Sequence, residues 1–202
     1  MAQTSTTLSG ERSHKTDVTG TDISIKRVSG VSKITSTTTT LNNFAVRDLI
    51  TVSGTQNNNT TFTVKTVTDA NELIVEELVA QDDNKDDSTT FTLDHTGFVT
   101  DKAKGDGYYS QPDGVHTVAY QVVNRGDSTD DFNGTIKMQG SLATTPTEDD
   151  WFDISGTTMT SDLSTTISSY NFTGNFVWVR AKVETTNSSS NGAMVSSILL
   201  NS

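Results

Sequence analysis

The segment FVWVRAKV, residues 176–183, constrains the fold more than any other part of this chain. One alternate set of its side chains is wholly apolar and comprises Val177, Val179, Ala181 and Val183. The opposite set carries two aromatic residues followed by two cations: Phe176, Trp178, Arg180 and Lys182. A strand with apolar side chains on both faces needs cover on both sides, because a solvated face is normally polar.

The chain has few apolar residues with which to provide that cover. Hydrophobic residues make up 32% of its 202 residues, and its 14 glycines do not raise the apolar total to the usual level of about 45–50%. Val and Thr are abundant, and β-branched side chains favour strands over helices. The sequence therefore predicts an all-β fold with a thin core. Cover for Phe176 and Trp178 could come from Tyr108 and Tyr109, from the first module or from another subunit. Alternatively, Phe176 and Trp178 face the interior, and the valines are the side that is covered.

The pattern of short strands and turns divides the chain into four predicted segments. They are a flexible polar arm over residues 1–20, a small antiparallel β barrel or sandwich over 21–98, a linker over 99–113, and a jelly-roll-like β-sandwich over 114–202. The linker is marked by Gly105, Gly107 and Pro112, which favour turns. No segment shows a sustained helical period, and residues 160–170 are predicted to hold at most a turn.

Charge and composition argue against several classes of partner. The net charge of −11 is spread over both halves of the chain, so the sequence predicts no phosphate-neutralising surface and no direct contact with nucleic acid. The absence of cysteine excludes disulfides and thiol chemistry. No apolar run is long enough to predict a signal peptide or a membrane span.

Catalytic signatures are lacking, and we expect neither an enzyme nor a cofactor. His14, His95 and His116 stand in unrelated contexts, and no nucleophile-elbow, phosphate-loop or zinc-protease motif occurs. A depolymerase would need two carboxylates on opposite sides of a substrate. The acidic run at residues 148–150 is a poor candidate, because neighbours on one loop rarely straddle a substrate.

Two acidic turns and one short motif are interpreted as loop chemistry. The run from Asp82 to Asp87 begins like a calcium loop, but Asp87 occupies the position of the required Gly and Leu93 that of the bidentate Glu. The turn at residues 126–131 is similarly acidic, and Asp favours such turns. The Arg-Gly-Asp tripeptide at residues 125–127 is interpreted as a chance match. The sequence therefore predicts no metal site.

Carbohydrate binding is the alternative function that the aromatic residues leave open. Stacking platforms for sugars could come from Tyr108, Tyr109, Trp151, Tyr170 and Trp178. The same residues are typical of cores and protein interfaces, where large aromatics dominate the buried area. A glycan-binding or adhesion module therefore stands beside a structural role.

The second module resembles the C-terminal β-sandwich of accessory virion proteins of tailed bacteriophages, particularly marine cyanophage types. The residues that carry this resemblance are GTIKMQGSL (134–142), Trp151 to Ile154, YNFTGNFVWVRAKVE (170–184) and VSSILLN (195–201). In the first module, residues 48–77 are similar to a small β unit that recurs in phage virion proteins.

The resemblance implies a non-enzymatic structural component of a virion, and the alternative is a host-surface glycan-binding or adhesion module of a tail or head fibre. Such a protein would decorate the capsid or join the tail, neck or baseplate after assembly in the host cytoplasm, with major capsid or tail proteins as partners. It would form homo-oligomers through β-surface interfaces, where symmetry multiplies modest contacts. The residues expected at an interface are Tyr108, Tyr109, Phe176, Trp178 and Arg180. The polar arm is expected to order on a neighbour.

Overall fold

The computed structural model describes residues 5–84, 89–109, 114–123, 132–162, 166–185 and 194–201. The strands up to residue 99 are β1 (Ser5–Ser9), β2 (Val18–Gly20), β3 (Ser24–Val28), β4 (Val31–Thr35), β5 (Asp48–Ser53), β6 (Thr61–Asp69), β7 (Glu72–Val75) and β8 (Phe91–Val99). Those that follow are β9 (Ala103–Lys104), β10 (Val115–Val123), β11 (Asn133–Ser141), β12 (Phe152–Asp153), β13 (Met159–Asp162), β14 (Thr166–Thr173), β15 (Trp178–Thr185) and β16 (Met194–Asn201). Two short 3₁₀ turns lie at Asp106–Tyr109 and Glu148–Asp150. The prediction of an all-β fold is confirmed.

The chain forms two compact units, defined here by their described residues. The first unit contains residues 15–84 and 89–98, and the second unit contains the remainder. In the first unit the antiparallel strand order is β2–β8–β5–β6–β7–β4–β3. Its strands enclose one apolar core, whose members include Ile25, Ile34, Ile50, Phe62 and Leu93.

Polar side chains tie the loops of the first unit together. The carboxylate of Asp22 accepts hydrogen bonds from the hydroxyls of residues 36–39 and from the backbone N–H groups of residues 37–39, over donor–acceptor distances of 2.5 to 3.2 Å. The buried carboxylate of Asp83 accepts hydrogen bonds from the side-chain amides of Asn57 and Asn58. Such bonds satisfy backbone groups that no strand pairs, so a chain with a thin core can still fix its loops.

The second unit is a sandwich of two antiparallel sheets. One sheet has the order β1–β16–β10–β14, and in the other β11 lies between β15 and the short strands β12 and β13. Alternate residues of both sheets point inward, and this core includes Val118, Tyr120, Ile198, Ile136, Met138, Val179, Ala181 and Val183. The hydroxyl of the buried Tyr120 donates to the carbonyl of Thr157 at 2.9 Å, which satisfies its only polar atom.

The segment predicted to be a flexible arm differs in the structure. Its residues 5–9 form β1, which pairs with β16, and the backbones of Arg12 and Val195 form a further bridge. Residues 18–20 form β2, which pairs with β8. The polar sequence conceals these strands because strand pairing is made by backbone groups and needs no apolar alternation.

Two further segments depart from expectation. The predicted linker carries β9, which pairs with β15, followed by the 3₁₀ turn at Asp106–Tyr109, so through residue 109 it belongs to the second unit. The rest of it, residues 110–113, lies outside the described residues. The segment at 160–170, expected to hold at most one turn of helix, has no helix among its described residues, but it contains the end of β13 and the start of β14, two strands that were not predicted. The Ser and Thr residues of these strands make them resemble loop sequence.

Candidate functional site

Strand β15 has two differently buried faces, as its sequence predicts. Val179, Ala181 and Val183 point into the sandwich core. On the opposite face Trp178 is half-buried and Arg180 is buried. Within the second unit, the cover on this outer face comes from the segment that follows β8 and from the loop that follows β11.

An aromatic–lysine cluster covers the start of β15. It consists of Lys102, Lys104, Tyr108, Tyr109 and Trp178. The ring centroids of Tyr108 and Trp178 are 5.0 Å apart with an interplanar angle of 59°, and those of Tyr108 and Tyr109 are 5.2 Å apart at 76°. Such tilted and edge-to-face geometries are favourable for aromatic pairs. Tyr108 and Tyr109 nevertheless remain 43% and 57% exposed.

Two lysines lie over the rings of this cluster. The Nζ atom of Lys102 lies 4.4 Å from the ring centroid of Trp178, and that of Lys104 lies 4.1 Å from the ring centroid of Tyr108. Cation–π contacts at exposed sites contribute about 0.5–1 kcal/mol each. A binding partner could therefore displace these ammonium groups at a small cost, or bind them together with the rings.

Backbone contacts hold the cluster in place. In the β9–β15 ladder Lys104 lies opposite Trp178, and the N–H of Gly105 donates to the carbonyl of Val177 at 3.0 Å. A Cβ atom on Gly105 would collide with the carbonyl oxygen of Phe176, so this position requires glycine. The indole N–H of Trp178 donates to the carbonyl of Thr144 at 3.0 Å. The rings are therefore presented by paired backbone.

Phe176, one of the expected interface residues, is instead buried within the second unit. Its ring lies 6.2 Å from that of Phe172, 6.0 Å from that of Phe152 and 6.5 Å from that of His116, measured between centroids. Gly140 provides the space for it, since a Cβ there would lie 2.6 Å from the ring. Phe176 thus packs inside its own unit and offers no surface to a partner.

Arg180, also expected at an interface, lies in a network within the second unit. Its guanidinium donates to both carboxylate oxygens of Glu148 at 2.9 and 2.7 Å, and its Nε donates to the side-chain oxygen of Gln139 at 2.9 Å. The guanidinium carbon also lies 4.2 Å from the ring centroid of Trp151. Arg180 is 4% exposed and its guanidinium is bound by these contacts, so it is not open to a partner.

Beyond Arg180 the outer face of β15 carries a ladder of ion pairs. Lys137 and Lys182 lie directly opposite each other, which would be repulsive without the carboxylates beside them. Lys137 contacts Asp153 at 2.8 Å and Glu184 at 3.2 Å, and Lys182 contacts Glu184 at 2.9 Å. Burial alone would lower the pKa of Lys137, but its bonds to Asp153 and Glu184 raise it above the ordinary value.

His95 and His116 belong to different units of the fold. His95 lies in the first unit, where its Nε2 is 3.4 Å from an oxygen of Asp48 and its Nδ1 accepts from the N–H of Lys15. His116 lies in the second unit, stacked on Phe172 at a centroid distance of 5.0 Å and with Nε2 3.5 Å from an oxygen of Asp106. All three histidines are buried.

The acidic residues singled out in the sequence have local structural contacts. Glu148 binds Arg180, and Asp150 accepts hydrogen bonds from the N–H and hydroxyl of Thr147, which lower its pKa. Asp82 accepts from the N–H of Arg27 at 2.9 Å. Residues 85–88 and the acidic and Arg-Gly-Asp matches at 125–131 lie outside the described residues. Within the described ranges no three His, Cys, Asp or Glu side chains are grouped as a metal site would require.

Sequence reasoning identified the tyrosines and Trp178 but missed the two lysines. Lys102 and Lys104 alternate along one short segment, so the period of a strand places them on the same side, where they can reach rings on a neighbouring strand. The pairing of β9 with β15 brings these two lysines beside the aromatic rings, and no local sequence pattern predicts that pairing.

Comparison with known proteins finds no matching family model, no similar curated protein and no similar solved structure. In the described part of the chain, no helix has the length and apolar character needed to cross a membrane.

Proposed function

We propose that this chain is a non-enzymatic structural component of a phage virion, either decorating the capsid or associated with the tail, neck or baseplate. Support comes from the residues that resemble accessory virion proteins and from the sandwich of the second unit. The proposed contact with neighbouring virion proteins is the aromatic–lysine cluster. In this role the cluster acts by binding alone, without any chemical step.

The observation that carries the proposal is that Tyr108 and Tyr109 are exposed while the β9–β15 ladder fixes the position of the segment that bears them. The chain has only 4 tyrosines and 2 tryptophans, and this cluster uses three of these six residues at the surface of one unit. Tyr and Trp are enriched at binding hot spots, where truncation of one anchor costs about 2 kcal/mol or more. Such a contact is modest alone, but repetition around a symmetric particle multiplies it.

The glycan-binding alternative is less well supported by the same geometry. A sugar stacks on an open aromatic face, whereas Lys102 and Lys104 lie over the rings of Trp178 and Tyr108. The ring of Tyr109, with Lys104 5.5 Å from its centroid, is the most open of the three. A sugar would therefore depend mainly on Tyr109, while a protein surface can cover the rings and bind the ammonium groups together.

The test locates the protein in intact particles by electron microscopy and counts its copies. Particles made with the Tyr108→Ala/Tyr109→Ala double variant are compared with particles made with Leu142→Ala, a control at a residue of the same unit that is 64% exposed. We expect occupancy at a fixed copy number for the wild type and the control. For the double variant we expect a loss of about tenfold or more, because two anchors are removed.

Three results would contradict this proposal. The protein could be missing from particles altogether, or the double variant could occupy particles as fully as the control. Glycan-array binding that disappears in the double variant, with particle occupancy unchanged, would instead assign the cluster to carbohydrate. Circular dichroism of each purified variant confirms that it is folded before the particles are compared.

A further inference from the structure

Strand β14 forms one edge of the four-stranded sheet in the second unit. It pairs with β10 over all eight of its residues, from Thr166 opposite Val122 to Thr173 opposite Val115, without a shift in register. Among the described residues no strand pairs with its other side. A strand edge of this kind presents backbone N–H and C=O groups that can pair with another strand.

This edge lacks the features that normally keep sheet edges apart. Its sequence, TISSYNFT, has no charged residue and no proline, and its ladder with β10 has no bulge. The opposite edge of the same sheet, β1, is only five residues long and its register shifts between Thr7 and Ser9. Short strands, bulges, charges and prolines are the devices that blunt edges in natural proteins, and β14 has none of them.

Side chains on both faces of β14 are incompletely covered. Ile167 on the outer face is 69% exposed, although it is a large apolar residue. Tyr170 points to the same side as buried Phe172 and lies 5.6 Å from the ring of Tyr120, yet it is only half-buried. One further strand beside β14 would cover Tyr170 and reduce the exposed area of Ile167.

We propose that β14 pairs with β14 of a second copy of this chain, forming an antiparallel twofold interface. Two copies that each carry a net charge of −11 repel each other, so they approach most easily at a stretch without charge. A twofold axis perpendicular to the sheet generates an antiparallel pair of identical strands, in which the same edge serves both copies. The uncharged and regular edge of β14 meets both conditions.

The alternation of β14 restricts how the two copies can pair. Residues directly opposite each other in an antiparallel ladder point to the same face of the sheet. Only registers centred on a residue keep the Ile167 face aligned between copies. Centred on Ser169, the ladder places Ile167 opposite Asn171 of the second copy. Centred on Tyr170, it places Ile167 opposite Thr173 of that copy.

The experiment is sedimentation equilibrium of the purified full chain and three variants. Ile167→Lys/Asn171→Lys places like charges opposite each other, Ile167→Lys/Asn171→Glu places opposite charges there, and Leu142→Lys is the matched control at an exposed residue outside β14. We expect a dimer for the wild type and for the control. The double lysine variant should dissociate at least about tenfold more readily, and the Lys/Glu variant should recover if the ladder is centred on Ser169.

Hydrogen exchange supplies a second measurement that does not depend on variants. We expect backbone amides of residues 166–173 in the wild type to exchange more slowly as the protein concentration rises. The proposal is overturned if the wild type remains monomeric at its highest soluble concentration. It is also overturned if the double lysine variant dimerises as strongly as the control, or if those amides show no dependence on concentration.

This inference deepens the proposed assembly role by naming one partner, and it involves a different surface. The measurements need no particles and leave the aromatic–lysine cluster unaltered. A monomeric wild type would therefore remove the β14 interface and leave the proposed role of the cluster standing. Conversely, a protein that dimerises through β14 but is missing from particles would contradict the virion role alone.

Discussion

Replacing Arg180 should destabilise the isolated chain, because its fork binds groups of its own unit. Arg180→Lys keeps the positive charge but cannot make the paired bonds to Glu148, the bond to Gln139 and the stacking on Trp151 together. Arg180→Ala removes all of them and leaves the carboxylate of Glu148, whose side chain is 16% exposed, without its partner. An interface role for Arg180 would instead leave the stability of the isolated chain nearly unchanged.

The contacts give the size of the effect. Breaking a buried ion pair by removing one partner costs about 3–5 kcal/mol, and the remaining solvent access of Glu148 favours the lower end, about 3 kcal/mol, for Arg180→Ala. For Arg180→Lys we expect about 1.5–2 kcal/mol, since one charged hydrogen bond is kept. Natural domains have total stabilities of about 5–15 kcal/mol, so either change should be large enough to measure.

The assay is urea unfolding of the wild type, Arg180→Lys, Glu148→Gln and the double variant, followed by tryptophan fluorescence. The double-mutant cycle should show a coupling free energy of about 1–3 kcal/mol between the two positions. Tyr109→Ala serves as the exposed control and should change stability by less than about 0.5 kcal/mol. If Arg180→Lys lay within that same margin, or if the coupling were absent, the assignment of Arg180 to an internal network would be refuted.

Two more predictions concern Asp22 and Gly140. Hydrogen bonds, led by that from the Ser36 hydroxyl, hold the pKa of Asp22 in the folded state far below its ordinary value. The ionised carboxylate therefore stabilises the fold above the unfolded-state pKa of about 4, and this stabilisation is lost as the pH falls below that value. In urea titrations between about pH 4 and 2, the unfolding free energy of the wild type should fall more steeply with decreasing pH than that of Asp22→Asn. Solvent screening reduces the difference because Asp22 is partly exposed, and equal slopes would contradict the prediction. Gly140→Ala should destabilise the protein by about 1–3 kcal/mol, because the added Cβ meets the ring of Phe176. A smaller side chain at position 176, in the double variant Gly140→Ala/Phe176→Leu, should restore part of that stability. If thermal unfolding shows no recovery in the double variant, the clash is refuted.

The alternation of side chains predicted that β15 is buried on both faces, and the structure shows which of the two faces lies in the sandwich core. Val179, Ala181 and Val183 form one buried set on β15, and Ile136 and Met138 form the matching set on β11. Alternation succeeds here because an apolar side chain every second residue has one physical reading, burial against another layer. Leu142 continues the alternation of Ile136 and Met138 in the sequence, but it lies beyond the end of β11 and is exposed.

Other strands escaped prediction because their sequences carry no apolar alternation. Strand β1 is polar, and β14 is rich in Ser and Thr apart from Ile167, Tyr170 and Phe172. Their position in the sheet is determined by backbone pairing with strands that are distant in sequence. A local pattern cannot contain that information, since either segment also suits a solvated loop.

The contacts within the candidate site could not be predicted from the sequence for a related reason. Arg180 and Glu148 are 32 residues apart, and Lys102 is farther still from Trp178. A charged residue in a strand is compatible with a solvent-facing site, an interface or a buried pair. Only the tertiary fold, which brings the loop after β11 over the outer face of β15, distinguishes these alternatives for Arg180.

The strand that first suggested assembly therefore does not by itself require a partner. Phe176 is covered by rings of its own unit, and Trp178 is covered by Tyr108 and Lys102. The case for partners rests instead on what this folding leaves exposed. The tyrosines that cover Trp178 are themselves partly exposed. Covering the outer face of β15 therefore leaves a smaller aromatic surface, formed by Tyr108 and Tyr109, in contact with solvent. In the proposed function, assembly would be favoured at that surface because covering its rings removes apolar area from water, and the β9–β15 ladder already holds the rings in place.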